Sequence, residues 1–210
     1  MNASINMDCV ARSKKHLVRR EQLVNAAMRA INERGRDNLR IRDIAAEAGV
    51  SPGSVLYHYP ELDELMFDVH RTVVEGFYQR RARLVEAETE PERRLATAID
   101  TGLPAGRDDD VARTLYEMHG LADRSSLHSS LMTSLFDREV TLYSAVFQVG
   151  QASGRFVLAE PSSVAARTMV VLEDGFGLHL LSNNTSVDLA GARAVLGAYA
   201  QRVTGCDLQL

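Results

Sequence analysis

Residues 40–60 read RIRDIAAEAGVSPGSVLYHYP, and this stretch decides the fold. Ile41, Ile44, Ala45 and Ala48 fall at i, i+3, i+4 and i+7, the spacing of one buried helix face. Gly49 follows at once and can take the positive φ that ends a helix without a Cβ clash. Ser51 offers a hydroxyl as N-cap, and Pro52 occupies the first helical position, where its missing N–H leaves no bond unmade. Val55 and Leu56 are expected to anchor this second helix on the first, with Ser54, Tyr57, His58 and Tyr59 facing outward or flanking its end. With Ile41 as position one, Ala45 is fifth, Gly49 ninth and Val55 fifteenth. A small residue, a turn glycine and an apolar anchor at that spacing let two short helices cross closely, as in a helix-turn-helix.

Working outward, the bulk properties bound the class. The 210 residues suit one large domain or a small module on a larger body. An apolar fraction of 45% and a charged fraction of 25% are ordinary for a soluble globular chain. No run of about 18 apolar residues occurs, which argues against a membrane span. The start, MNASINMDCVARSKKH, has no apolar segment of the secretory kind and reads as a disordered arm. Cys9 and Cys206 are the only cysteines. They exclude a disulfide scaffold, while a single bridge or redox pair stays open.

The net charge of −4 conceals a segregation. Residues 1–59 hold ten Lys or Arg against six Asp or Glu, whereas residues 60–210 hold fourteen against twenty-two. Arg12, Lys14, Lys15, Arg19 and Arg20 form a block free of acids. A basic front on an acidic chain suits contact with a polyanion at one end; a solvated helix start is the plainer alternative.

Helical spacing continues throughout. A first helix is expected over 16–34, with Val24, Ala27, Met28 and Ile31 inward. A long fourth helix follows Pro60 to about residue 88, with Leu65, Val69, Val73, Phe77 and Leu84 inward. Further helices open at Pro91, at Asp108–Asp110, near Ser125, at Pro161 and at Asp188, and Gly154 and Gly205 close two of them. Arg155–Leu158 is the one brief strand-like piece. The expected fold is all-α: a disordered basic arm at 1–15, a three-helix DNA-binding head at 16–60, and a helical ligand-binding and dimerisation body at 61–210.

With IRDIAAEAGVSPGSVLYHY in view, the chain resembles the TetR family of bacterial transcriptional regulators from about Arg20 to Leu65; beyond that it matches only in helix number, length and order. The resemblance implies a cytoplasmic homodimer that binds palindromic operator DNA, most often as a repressor, and releases it when a small molecule enters the body. No cofactor, no metal and no enzymatic activity are expected. The chain departs from the family pattern at Tyr59-Pro60-Glu61-Leu62-Asp63, where acids replace a lysine that usually touches DNA backbone at the start of the fourth helix.

The expected DNA-contacting residues are Arg40 and Arg42 at the start of the first short helix, and Ser51, Pro52, Gly53, Ser54, Tyr57, His58 and Tyr59 on the second. Phosphates would take the cationic and phenolic groups, and base edges would meet the amino-terminal turn. Tyr57 has an alternative in packing against the first helix, and Arg42 in a surface salt bridge.

In the body, Phe77, Leu115, Met118, His119, Phe136, Tyr143, Phe147, Met169, Glu173 and Phe176 are candidates to line a ligand cavity, with ordinary core packing as the alternative for the apolar ones. Glu173, Asp174, His119 and His179 are polar groups in apolar helices. Burying them is costly without partners, so they face either an arginine such as Arg113 or Arg138, or a largely apolar ligand bearing a donor or cationic group. Gly175, Leu178, Leu181, Val195, Leu196 and Tyr199 are expected at a two-fold dimer contact, with packing inside the chain as the alternative. The six histidines show no metal-ligand spacing, and Ser125, Ser126 and His128 are more simply a helix cap than a catalytic group. A different reading of the whole is a helical enzyme or scaffold with a remnant helix-turn-helix.

Overall fold

The computed structural model describes residues 2–208, with side chains described over 16–208. Nine α-helices account for most of these residues: α1 Asn2–Arg34, α2 Ile41–Glu47, α3 Pro52–His58, α4 Leu62–Ala87, α5 Pro91–Gly102, α6 Asp110–His119, α7 Ser126–Ala152, α8 Ser162–Leu181 and α9 Leu189–Thr204. No strand occurs among the described residues. The strand-like Arg155–Leu158 is instead an extended segment laid along α9, with the Val157 N–H donating to the Thr204 carbonyl at 2.8 Å.

Helix α1 begins earlier than the sequence reading placed it. Its backbone runs helical from Asn2, because residues 2–34 contain neither glycine nor proline to stop a helix. The arm expected to be disordered at 1–15 therefore carries helical backbone from Asn2, and its side chains lie outside the described residues.

Helices α1 to α3 close around Leu23, Ala27, Ile31, Ile44, Ala45 and Val55. Asp68 of α4 ties them to the fourth helix. It accepts from the Arg20 guanidinium at 2.9 Å, the Tyr59 hydroxyl at 2.8 Å and Arg71 at 3.0 Å, and Arg20 also lies over the Tyr59 ring. These donors hold Asp68 below its usual carboxylate range against the opposing effect of burial. The same core takes in Leu65, Val69 and Val73 of α4, Leu115 and Met118 of α6, and Leu135 of α7. Packing is thus continuous across residue 60.

The body is organised by a buried arginine. The inward stripe of α4 runs Leu65, Val69, Val73, Phe77, Arg81, Val85 at four-residue steps; Leu84, expected inward, is 41% exposed. Arg81 is 1% exposed. Its guanidinium donates to Glu139 of α7, to both Glu173 oxygens of α8 at 2.8 Å, and to the Ala98 carbonyl of α5 at 2.9 Å. Tyr143 of α7 donates its hydroxyl to Glu173. One cation therefore joins four helices. Removing one member of such a group strands the others in a low-dielectric interior.

Arg81→Met is expected to lower the unfolding free energy by about 3–5 kcal/mol, read from urea denaturation. The loss should deepen as pH rises from 5 to 8. Without the cation, Glu139 and Glu173 keep protons in the folded state that they shed when unfolded, so the folded form is favoured at low pH and loses ground as pH climbs. A pH-independent loss would mean that the carboxyls do not depend on Arg81.

Candidate functional site

Two regions carry the expected site residues. In the head, Gly49 takes φ +65° and turns the chain between α2 and α3. The Ser51 hydroxyl caps α3 by accepting from the Ser54 N–H at 3.2 Å. Arg40 caps α2, its backbone N–H donating to the Asp43 carboxylate at 3.0 Å. Arg40, Arg42, Ser51, Pro52, Gly53 and Tyr57 are all exposed, and Ser54 is half-buried. Tyr57 stands 77% exposed, so it does not pack on α1. Leu56 is exposed as well, leaving Val55 as the buried anchor of α3.

Tyr59 is a correction. It is fully buried, with its hydroxyl on Asp68 and its ring under Arg20, because the chain leaves the helix after His58 and turns the next side chain inward. His58 is half-buried beside His16. Burial and the neighbouring cations hold its imidazole below the usual histidine range, which favours a neutral ring over a phosphate-pairing cation. The start of α4 is acidic, with Glu61 at the cap and Asp63 and Glu64 in the first turn, all exposed. That charge suits the positive end of the helix dipole.

In the body, a cavity of about 310 Å³ opens between α4, α6, α7 and α8. Phe77, Leu115, His119, Phe136 and Glu173 line it as the sequence suggested, together with Tyr116, Met132, Leu135, Glu139 and Asp174. Met118, Tyr143, Phe147 and Met169 are fully buried in the cores and do not line it; Phe176 is half-buried against the body core. Glu173 finds its partner in Arg81, neither of the arginines expected. Arg138 instead pairs with Glu75 at 2.8 Å and covers the Tyr78 ring, and Arg113 reaches the Arg107 carbonyl. His179 is exposed.

Glu139, Tyr116 and Arg81 escaped the sequence reading. Glu139 sits three residues past Phe136 and four before Tyr143, on the same inward stripe of α7. Burial pushes its carboxyl up to about 7 and that of Glu173 up to about 8, with Arg81 pulling the other way. Two carboxyls facing one guanidinium titrate as a pair. Two glycines make the arrangement fit. A Cβ at Gly102 would overlap the Glu173 carboxylate, and one at Gly177 would overlap the Tyr116 hydroxyl, which donates to the Asp174 carbonyl at 3.1 Å.

Of the residues expected at a dimer contact, Gly175, Leu178 and Val195 are exposed, and Leu181 is half-buried. Leu196 is fully buried in the body core. Tyr199 is half-buried, its hydroxyl donating to Glu160. Leu196 thus serves the chain's own core, since α9 turns that face toward the rest of the body.

Residues 23–69 match the model for bacterial regulatory proteins of the tetR family. The head therefore carries the sequence pattern of that family. Among curated relatives, the HTH-type transcriptional regulator BetI of Proteus mirabilis is 23% identical over 184 residues, which cover 87% of this chain and 90% of BetI. Among solved structures, a TetR transcription regulator from Haloarcula marismortui superposes with a TM-score of 0.79 at 25% identity, covering 88% of this chain and 97% of that one. A transcriptional regulator from Saccharomonospora viridis, solved in complex with choline, superposes with a TM-score of 0.79 at 23% identity, covering 87% and 95%. These relatives are transcriptional regulators and not enzymes, so the enzyme-or-scaffold reading is set aside. No helix among the described residues is long and apolar enough to cross a membrane.

The two kinds of helical glycine should separate cleanly on substitution. Gly102→Ala is expected to destabilise the chain by about 1–3 kcal/mol through overpacking against Glu173. Gly76→Ala on α4, where an added Cβ meets nothing, should stabilise it by about 0.5–1 kcal/mol. Thermal melts of both variants beside the parent test the pair, and equal shifts would contradict the packing described.

Proposed function

We propose that this chain is a ligand-responsive transcriptional repressor of the TetR family: a cytoplasmic homodimer whose heads, residues 16–60, read a palindromic operator, and whose bodies, 61–210, dimerise and release DNA when a small molecule occupies the cavity. The observation that carries this reading is mechanical. Helix α4 lends Phe77 to the cavity wall and Leu65, Val69 and Val73 to the head core. A ligand that favours one setting of α4 over another therefore changes the placing of the head, while equal affinity for both would change nothing.

Arg42 and Tyr57 supply the DNA contacts on this reading. Both are exposed, and Arg42 has no ion pair among the described residues. Gly53 supports it too: an added Cβ would meet only the Ser51 hydroxyl at 3.9 Å, so nothing within the chain demands glycine there, whereas close approach of a DNA backbone would.

The dimer face supports it as well. Val164, Val171 and Leu178 recur every seven residues along α8 and are all exposed, and Val195 of α9 is exposed too. Such a stripe with a glycine at 175, where nothing lies near an added Cβ, suits close packing against a two-fold copy. A regulator of the same fold was solved in complex with choline, which supports a small-molecule effector.

Arg42→Ala and Tyr57→Ala are each expected to weaken operator binding by about tenfold or more with unchanged melting temperature, and binding should fall steeply with salt. Full affinity of both variants in a gel-shift titration would remove these side chains from the interface. Leu178→Glu should sediment as a monomer and lose operator binding; a persistent dimer would place the interface elsewhere.

A further inference from the structure

The body cavity carries an unequal balance of charge. Its buried wall presents two carboxyls, Glu139 and Glu173, to a single buried cation, Arg81. Glu173 is satisfied: both oxygens receive Arg81 N–H groups and one also receives the Tyr143 hydroxyl. Glu139 is not. It is 6% exposed, lines the cavity, and its Oε1 accepts from Arg81. Its Oε2 receives no hydrogen bond among the described residues, yet it is not enclosed by the protein. An unpaired carboxylate oxygen in that setting is costly. Asp174, at the open side of the same cavity, likewise has no side-chain partner among the described residues. The remaining wall is aromatic and apolar: Phe77, Phe136 and Tyr116, with Leu115 and Met132.

We propose that the cavity receives an organic monocation, an ammonium ion on a mainly apolar body, whose charge is neutralised by the free oxygen of Glu139. The aromatic wall adds quadrupole attraction for such an ion. A neutral molecule of the same shape would leave the carboxylate unpaired, and an anion would face three acids. This assignment rests on the ligand-responsive reading above and names the class of its effector.

A consequence follows for proton balance. The groups facing Glu139 are Arg81 from α4, Glu173 and Asp174 from α8, Tyr116 and His119 from α6, and Tyr143 on its own helix. With the cavity empty, burial holds the Glu139 and Glu173 carboxyls above the usual range against the pull of Arg81, so the pair retains a proton near neutral pH. An entering cation takes the place of that proton. Cation affinity should therefore rise with pH, by about tenfold between pH 6 and pH 8, as the carboxyl ionises.

Isothermal titration of the intact protein with a panel of primary alkylammonium and alkyltrimethylammonium ions, each beside the alcohol of matching shape, tests the assignment. At least one ammonium ion should bind tenfold or more tightly than its alcohol. Its affinity should strengthen from pH 6 to pH 8, with proton release read from buffers of different ionisation enthalpy. Glu139→Gln, checked for native melting, should erase both the charge preference and the proton release. Equal or better binding of the alcohols, or no binding by any member of the panel, overturns it. A gel shift separates the two readings. Ammonium binding without operator release would keep this assignment and sink the effector role, whereas operator release by a neutral or anionic compound would do the reverse.

Discussion

The structure depends on a guanidinium that has no water to solvate it. Arg81 is buried at the meeting of α4, α5, α7 and α8, and a charge so placed must find its counter-charges and hydrogen-bond acceptors inside the protein. Glu139, Glu173 and the Ala98 carbonyl answer that requirement, and each fixes the helix it belongs to. Apolar packing alone tolerates sliding and repacking. A cation bonded to three helices other than its own fixes their rotation and height, which is what a cavity of definite shape needs. The small residues follow from the same demand. Gly102 is where α5 must stay clear of the Glu173 carboxylate, and Gly177 is where α8 admits the Tyr116 hydroxyl.

The head repeats this logic at smaller scale and nearer to solvent. Asp68 gathers Arg20, Arg71 and Tyr59, so the residue that ends the second short helix is pinned to the fourth. Arg20 belongs to the basic block that the sequence suggested for DNA, and it is spent on this junction. Arg29 and Arg34 are exposed but paired with Glu47 and Asp43, so Arg40 and Arg42 are the exposed cations of the described head without an ion pair. The acidic start of α4, with Glu61, Asp63 and Glu64 exposed, repels phosphate where the family pattern has a lysine, so on the proposed reading the backbone contact falls to the start of α2.

Much of this was legible in the residues. The turn glycine, the Ser51 cap and the Pro52 start placed the helix-turn-helix, because each has a local backbone reason to be where it is. Helix ends at Pro91, Pro161, Gly154 and Gly205 were legible for the same cause. What stayed hidden was the fate of polar residues on inward stripes. Arg81 lies four residues beyond Phe77 and four before Val85, and Glu139 is between Phe136 and Tyr143, so spacing alone placed both in the interior. A reading that keeps only apolar residues on a stripe passes over them and moves to Leu84, which is exposed. Tyr59 was hidden for another reason: once a chain leaves its helix, the 3.6-residue period says nothing about where the next side chain points.

The two ion clusters share one helix. Thirteen residues separate Asp68 from Arg81 on α4, about 20 Å of helix, and no proline interrupts it. On the proposed reading a change of charge at the Arg81 end would reach the head as a rigid displacement, because the intervening side chains Val69, Val73 and Phe77 are packed on their inward side. Helix α6 gives a parallel connection. Tyr116 and His119 line the cavity, while the same helix touches α1 through Thr114 and Asn32 at 3.2 Å, and the Asn32 amide donates to the Asp110 carbonyl at 3.2 Å. Two struts leaving one cavity meet α1 at separate points, α4 at Arg20 and α6 at Asn32, and on the proposed reading such a pair resists a simple shift and favours rotation of the head as a unit. In a two-fold dimer that rotation would change the separation of the recognition helices, the one geometric quantity to which paired half-sites are sensitive.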